Sequence, residues 1–163
     1  MTQPVRHLLS LWDYGWLDHN EIELAPSSQP EELIEAYLAS DTFGTSFVGP
    51  SLEETPTIHG PFFRSSVMAN DFQLIDSAAF HKQINEIRKP DGFSEPATEE
   101  QWSAVEKLVS DLERQYIWLF KLRLTEDTSD RFHEWGFALT VFREFILANA
   151  NSANVARLIF GYD

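Results

Sequence analysis

HEWGFALTVFREFILANANSANVARLIFGYD, residues 133–163, is the stretch on which the fold turns. Two periods fit its first half. Trp135, Leu139, Phe142 and Ile146 would suit one face of a helix, whereas Gly136, Thr140 and the density of Phe, Val and Ile favour a strand. The polar run ANSAN, 150–154, followed by VARLIF, completes a hairpin if the segment before it is extended. Strands over 135–148 and 155–162 are therefore expected.

Just upstream, QYIWLFKLRLT (115–125) alternates Tyr116, Trp118, Phe120, Leu122 and Leu124 with a second file that runs from Ile117 and Leu119 to Lys121 and Arg123. Such a pattern reads as a strand buried on one side and half-buried on the other. The three segments predict an antiparallel meander over about 115–162. Before the meander lie helical patterns. Thr98-Glu99-Glu100-Gln101 is a capping box, and Trp102, Val105, Leu108, Val109 and Leu112 form the stripe that follows it. Asp76 is placed to cap a helix carrying Phe80, Ile84 and Ile87 on one face, ended by Pro90-Asp91-Gly92. PEELIEAYLAS begins a third helix near Pro30, with acids in the first turn where the dipole favours them and an apolar stripe of Leu33, Ile34, Tyr37 and Leu38. VMANDFQLI (67–75) reads as a strand, and 41–61, broken by Gly44, Gly49, Pro50, Pro56, Gly60 and Pro61, reads as a loop containing short strands or a functional segment. Residues 5–24 read as two strands joined by a turn at Tyr14-Gly15. The predicted class is α+β: a single domain over 1–163, its mostly antiparallel sheet packed by two to three helices on one face.

At 163 residues the chain is long enough for one core without staples. No cysteine is present, which excludes disulfides, thiolate metal sites and a cysteine nucleophile, and fits a reducing compartment. The N-terminal run MTQPVRHLLSLWDYGW lacks the apolar core and cleavage site of a secretory signal, and no window reaches a transmembrane length. A cytoplasmic protein is expected.

Charge is the feature that composition does not level out. The net charge is −14. Between Arg6 and Arg64 there is neither lysine nor arginine, and those 57 residues hold Asp13, Asp18, Glu21, Glu23, Glu31, Glu32, Glu35, Asp41, Glu53 and Glu54, a local charge of −10. The remaining 16 acids face 12 bases, leaving −4. Such a surface repels nucleic-acid phosphates and anionic lipid and attracts cationic partners. Within the base-free region, LWDYGWLDHNEIEL (11–24) sets Trp12, Tyr14 and Trp16 among four acids. One reading gives the aromatics to the core and leaves the acids solvated. The other keeps aromatics at the surface as anchors in an acidic field, where a partner's arginine stacks and pairs. Trp12, Asp13, Tyr14, Trp16, Asp18, Glu21, Glu23, Glu53 and Glu54 are the candidate partner-binding residues.

Motifs of known chemistry are missing. No G-x-G-x-x-G, P-loop, G-x-S-x-G or H-E-x-x-H occurs, and the seven glycines do not cluster. Of the five histidines, His19-x-Glu21-x-Glu23 is the best local seed for a metal, with one solvent face of an acid-rich strand as the plainer account. His59 beside Gly60-Pro61 reads as a turn residue, and His133-Glu134 as a surface pair. No catalytic residue, metal or cofactor is assigned. Small, acidic and α+β, the chain resembles toxin inhibitors as a class. The expected function is that of an immunity protein or antitoxin occluding the cationic active site of a basic toxin, such as a nuclease. The alternatives are an enzyme with an unrecognised, metal-assisted hydrolytic site, and a phage-type decoy whose acids imitate DNA phosphates.

Overall fold

A computed structural model describes residues 6–12, 15–43, 57–88, 97–124, 131 and 141–162. The chain builds β1 (Arg6–Trp12), β2 (Gly15–Glu23), α1 (Pro30–Ala39), β3 (Ile58–His59), β4 (Phe62–Phe63), β5 (Phe72–Ile75), α2 (Ser77–Arg88), α3 (Glu99–Gln115), β6 (Trp118–Leu122), β7 (Val141–Ala148) and β8 (Asn154–Tyr162). Six strands form one antiparallel sheet in the order β1-β2-β8-β7-β6-β5. The predicted meander is its β6-β7-β8 portion, and the hairpin joining β7 to β8 falls at the polar run as expected. Asn151 takes the left-handed conformation there, with φ of 60°, which asparagine tolerates. Its amide donates to the Ser27 carbonyl at 2.7 Å, tying the turn to the chain just before α1. The N-terminal hairpin docks onto this unit through nine residue pairs of β2 and β8, from Gly15↔Tyr162 to Glu23↔Asn154. The class is α+β.

The helices depart from expectation in one respect. They cover both faces of the sheet. On one face Leu33, Ile34 and Tyr37 of α1 pack with Phe43, Phe62 and Val67 against Ile22, Phe120, Leu122, Phe142, Ile146, Val155 and Ile159. On the other, Phe80, Ile84 and Ile87 of α2 and Trp102, Val105, Val109 and Leu112 of α3 pack against Leu17, Leu119, Phe145, Leu147, Leu158 and Phe160. Alternation within each strand divides its residues between the two layers, so a sheet apolar on both sides needs a cover on both.

Local signals read from sequence hold at the helix starts. Thr98 Oγ1 accepts from the Gln101 amide at 3.2 Å while Gln101 Oε1 accepts from the Thr98 amide at 2.9 Å, and Asp76 Oδ1 accepts from the Ala79 amide at 2.7 Å. Thr98→Ala is expected to cost about 1 kcal/mol, read as a lower urea midpoint with unchanged slope. The segment 67–75 is corrected. Only Phe72–Ile75 is strand; 3-10 turns occupy Arg64–Ser66 and Ala69–Asp71. Asp71 closes the second of these by accepting from the Met68 amide at 2.8 Å, and Arg131 Nη1 donates to the same carboxylate at 2.9 Å. Within the expected loop 41–61, residues 58–59 pair with 62–63 in a two-stranded ribbon. Residues 44–56 and 132–140, with the expected first part of β7 and the His133-Glu134 pair, lie outside the described residues.

Candidate functional site

Three strands carry charged residues on the α1 side of the sheet, in files that are otherwise apolar on β7 and β8. Glu144 of β7 sits between Phe142 and Ile146, Arg157 of β8 between Val155 and Ile159, and Asp18 of β2 two residues from Asn20. Register makes them neighbours: Ile146 pairs with Arg157, Glu144 with Ile159, Asn20 with Arg157 and Asp18 with Ile159. Charge thus alternates in sign diagonally across β2, β8 and β7. Asp18, Glu144 and His59 are fully buried, and Arg157 keeps only 2% of its surface exposed.

The hub is Glu144. Tyr37, from the inner face of α1, donates its hydroxyl to Glu144 Oε1. His59 Nε2, from the β3 ribbon, donates to Oε2 at 2.5 Å. Arg157 Nη1 donates to the Tyr37 hydroxyl at 3.4 Å and to the Thr42 carbonyl at 2.8 Å. Aromatic rings wall the cluster: Phe43 stacks on His59 with centroids 3.9 Å apart, and Phe142 meets it edge-on at 5.9 Å. Burial alone would raise the Glu144 carboxyl, but His59, Arg157 and the Tyr37 hydroxyl together hold it below the usual carboxylate range. Burial and the adjacent carboxylate push the Tyr37 phenol well above its ordinary value. For Arg157, burial opposes the charge, yet Tyr37, Glu144 and Asp18 outweigh it and leave the guanidinium more firmly protonated.

A histidine bonded to a carboxylate has the parts of a general base, but a base must reach the proton it removes. Both members here have no exposed surface. The arrangement ties α1, the β3–β4 ribbon and two central strands to one carboxylate, which is a structural role. The remaining histidine pairs lie elsewhere. His81 Nε2 donates to Glu113 Oε2 at 2.8 Å on the outer side of α2 and α3, and His19 Nε2 lies 3.2 Å from Glu21 Oε1. Glu21 also accepts from the Tyr116 hydroxyl at 3.0 Å, and burial together with that carboxylate raises the Tyr116 phenol well above its usual value. Glu23 is exposed at the end of β2. No group of three or more His, Asp or Glu side chains suited to a metal ion occurs among the described residues.

The residues singled out for partner binding separate in space. Asp13, Tyr14, Glu53 and Glu54 lie outside the described residues, and Trp12 is described in backbone only. Asp18 is not on an accessible edge: it is buried, accepts from Asn20 Nδ2 at 3.1 Å and supports the Arg157 charge. Trp16 is half-buried, its indole lying over Gly161, where an added Cβ would come within 2.1 Å of the ring. Glycine there is what lets the tryptophan lie against the sheet. The exposed described acids of the base-free segment are instead Glu23, Glu31, Glu32, Glu35 and Asp41, three of them on α1. Glu31 and Glu35, one turn apart, line a shallow groove of about 500 Å³ between α1 and the β5 edge, floored by Phe72 and Phe120. Leu74, half exposed, stands at its rim. No helix among the described residues is long and apolar enough to cross a membrane. The chain matches no protein-family model, no curated protein and no solved structure.

Proposed function

We propose that the protein is an acidic protein-binding inhibitor, an immunity protein or antitoxin that neutralises a basic toxin, such as a nuclease, by occluding its cationic active site. The observation that carries this reading is the 57-residue segment without lysine or arginine, whose exposed acids include three on the outer side of α1 beside an apolar groove. Scattered acid would serve solubility alone. Acid gathered on one element, next to half-exposed apolar side chains, combines long-range attraction for a cationic partner with a surface that excludes water on contact. Burial of the His59–Glu144 pair favours this reading over an enzyme. The proposed compartment is the cytoplasm, which the cysteine-free composition supports.

Affinity capture from the native cell extract, at low and then moderate salt, tests the proposal. One basic protein retained stoichiometrically at low salt and released by added salt is the expected result. Retention of acidic or neutral proteins only, with the basic toxin expressed, would overturn it.

A further inference from the structure

We propose that the partner enters as an extended basic segment that adds to the outer edge of β5, with its cationic side chains over Glu31 and Glu35. This rests on the masking function proposed above and specifies the surface that performs it.

Among the described residues, β5 is a terminal strand of the six-stranded sheet. The Arg123 amide donates to the Asp71 carbonyl at 2.8 Å, and the register continues as Phe72↔Leu122, Gln73↔Lys121, Leu74↔Phe120 and Ile75↔Leu119. Antiparallel pairs alternate between bonded and non-bonded. Position 71 is bonded to β6, so 73 and 75 are as well; the C=O of Phe72 and the N–H and C=O of Leu74 point away from the sheet, while the Phe72 N–H donates to the Ala69 carbonyl. An outward row of backbone donors and acceptors is a template for another strand.

The side chains identify the occupant. Phe72 and Leu74 face the α1 side, with Phe72 buried in that layer and Leu74 50% exposed. A strand added beside them directs alternate residues toward the groove under Glu31 and Glu35. Arg123 also lines this groove, its Nη2 donating to the Asn70 carbonyl at 3.0 Å, so the lining carries two carboxylates against one guanidinium. Lysine or arginine at those alternate positions meets two carboxylates. A second copy of this chain would bring the same carboxylates and a net charge of −14 against their like, which opposes self-pairing.

The test uses the intact protein and a labelled twelve-residue peptide alternating lysine with valine, beside a matched peptide with glutamate for lysine. Fluorescence anisotropy is expected to detect salt-sensitive binding of the lysine peptide alone, and amide exchange at Leu74 to slow on binding. Leu74→Pro removes an outward donor without touching the ladder to β6 and is expected to weaken binding about tenfold. Leu74→Ala, which keeps the donor, weakens it less, and Glu31→Gln with Glu35→Gln lowers the salt dependence. Circular dichroism matching the parent establishes that the proline variant folds; should it not, the exchange measurement on the parent protein decides. Equal binding by parent and Leu74→Pro, or unchanged exchange in β5, overturns strand addition. So does a concentration-dependent dimer that Leu74→Pro abolishes. A captured basic protein that binds parent and Leu74→Pro equally overturns strand addition while leaving the masking reading in place. Capture of no basic protein removes the masking reading, whatever the peptide does.

Discussion

Glu144→Ala is expected to destabilise the fold by about 3–5 kcal/mol, the range for removing one partner of a buried charged set. The lost carboxylate accepts from Tyr37 and His59 and faces Arg157, whose guanidinium stays charged and buried with Asp18 as its remaining carboxylate. Tyr37→Phe removes one donor to the charged group and is expected to cost about 1.5–3 kcal/mol. Urea unfolding of the two variants measures both. Equal and small losses, near 0.5 kcal/mol, would contradict the hub.

The same carboxylate imposes a pH dependence with a definite sign. Its folded-state pKa lies below the ordinary value. The folded state therefore holds the proton less tightly than the unfolded state. Stability from Glu144 is fully present above the unfolded carboxyl value, about 4.3, and is lost as pH falls from there through the folded value. Glu144→Gln removes this titration, so its stability is expected to fall less steeply with acidification below about pH 4.3 than that of the parent. Parallel acid profiles would show that Glu144 is not the group responsible.

The second large effect concerns association. Neutralising α1 with Glu31→Gln, Glu32→Gln and Glu35→Gln is expected to slow binding of the captured basic partner at low salt by about tenfold or more, the scale of electrostatic steering. Its control is Glu99→Gln, Glu100→Gln and Glu106→Gln on α3, across the sheet, which changes net charge equally. Stopped-flow association at several salt concentrations separates the two. If both triples slow association alike, net charge alone steers and α1 is not the docking face. All six carboxylates are exposed, so neither triple should unfold the protein.

Local chemistry made much of this fold legible before any geometry. Thr98 and Gln101, Asp76, Pro30 and the β7–β8 turn announce their elements through short-range hydrogen bonding and dihedral preference. The cover on both faces was also legible in part. Phe145-Ile146-Leu147-Ala148 and Leu158-Ile159-Phe160 are apolar at consecutive positions, whereas a strand covered on one face alternates. Docking of β2 on β8 was not legible, because it depends on tertiary fit between segments about 140 residues apart in sequence. The buried cluster left a partial mark. Glu144 interrupts the file Phe142, Ile146, Ala148, and Arg157 interrupts Val155, Ile159, so each is a charge where burial requires a partner. Which partners it finds, Tyr37 at 107 residues' distance and His59 at 85, follows only from the folded arrangement. Asp18 looks in sequence like part of a solvated acidic edge for the same reason: Arg157, the charge it faces, is distant in sequence.

Inhibition by occlusion is decided by titrating the captured basic partner's own activity with this protein. Activity falling linearly to zero at one equivalent is expected, with the inhibition relieved by salt and by the α1 triple. Full partner activity in the saturated complex would contradict it.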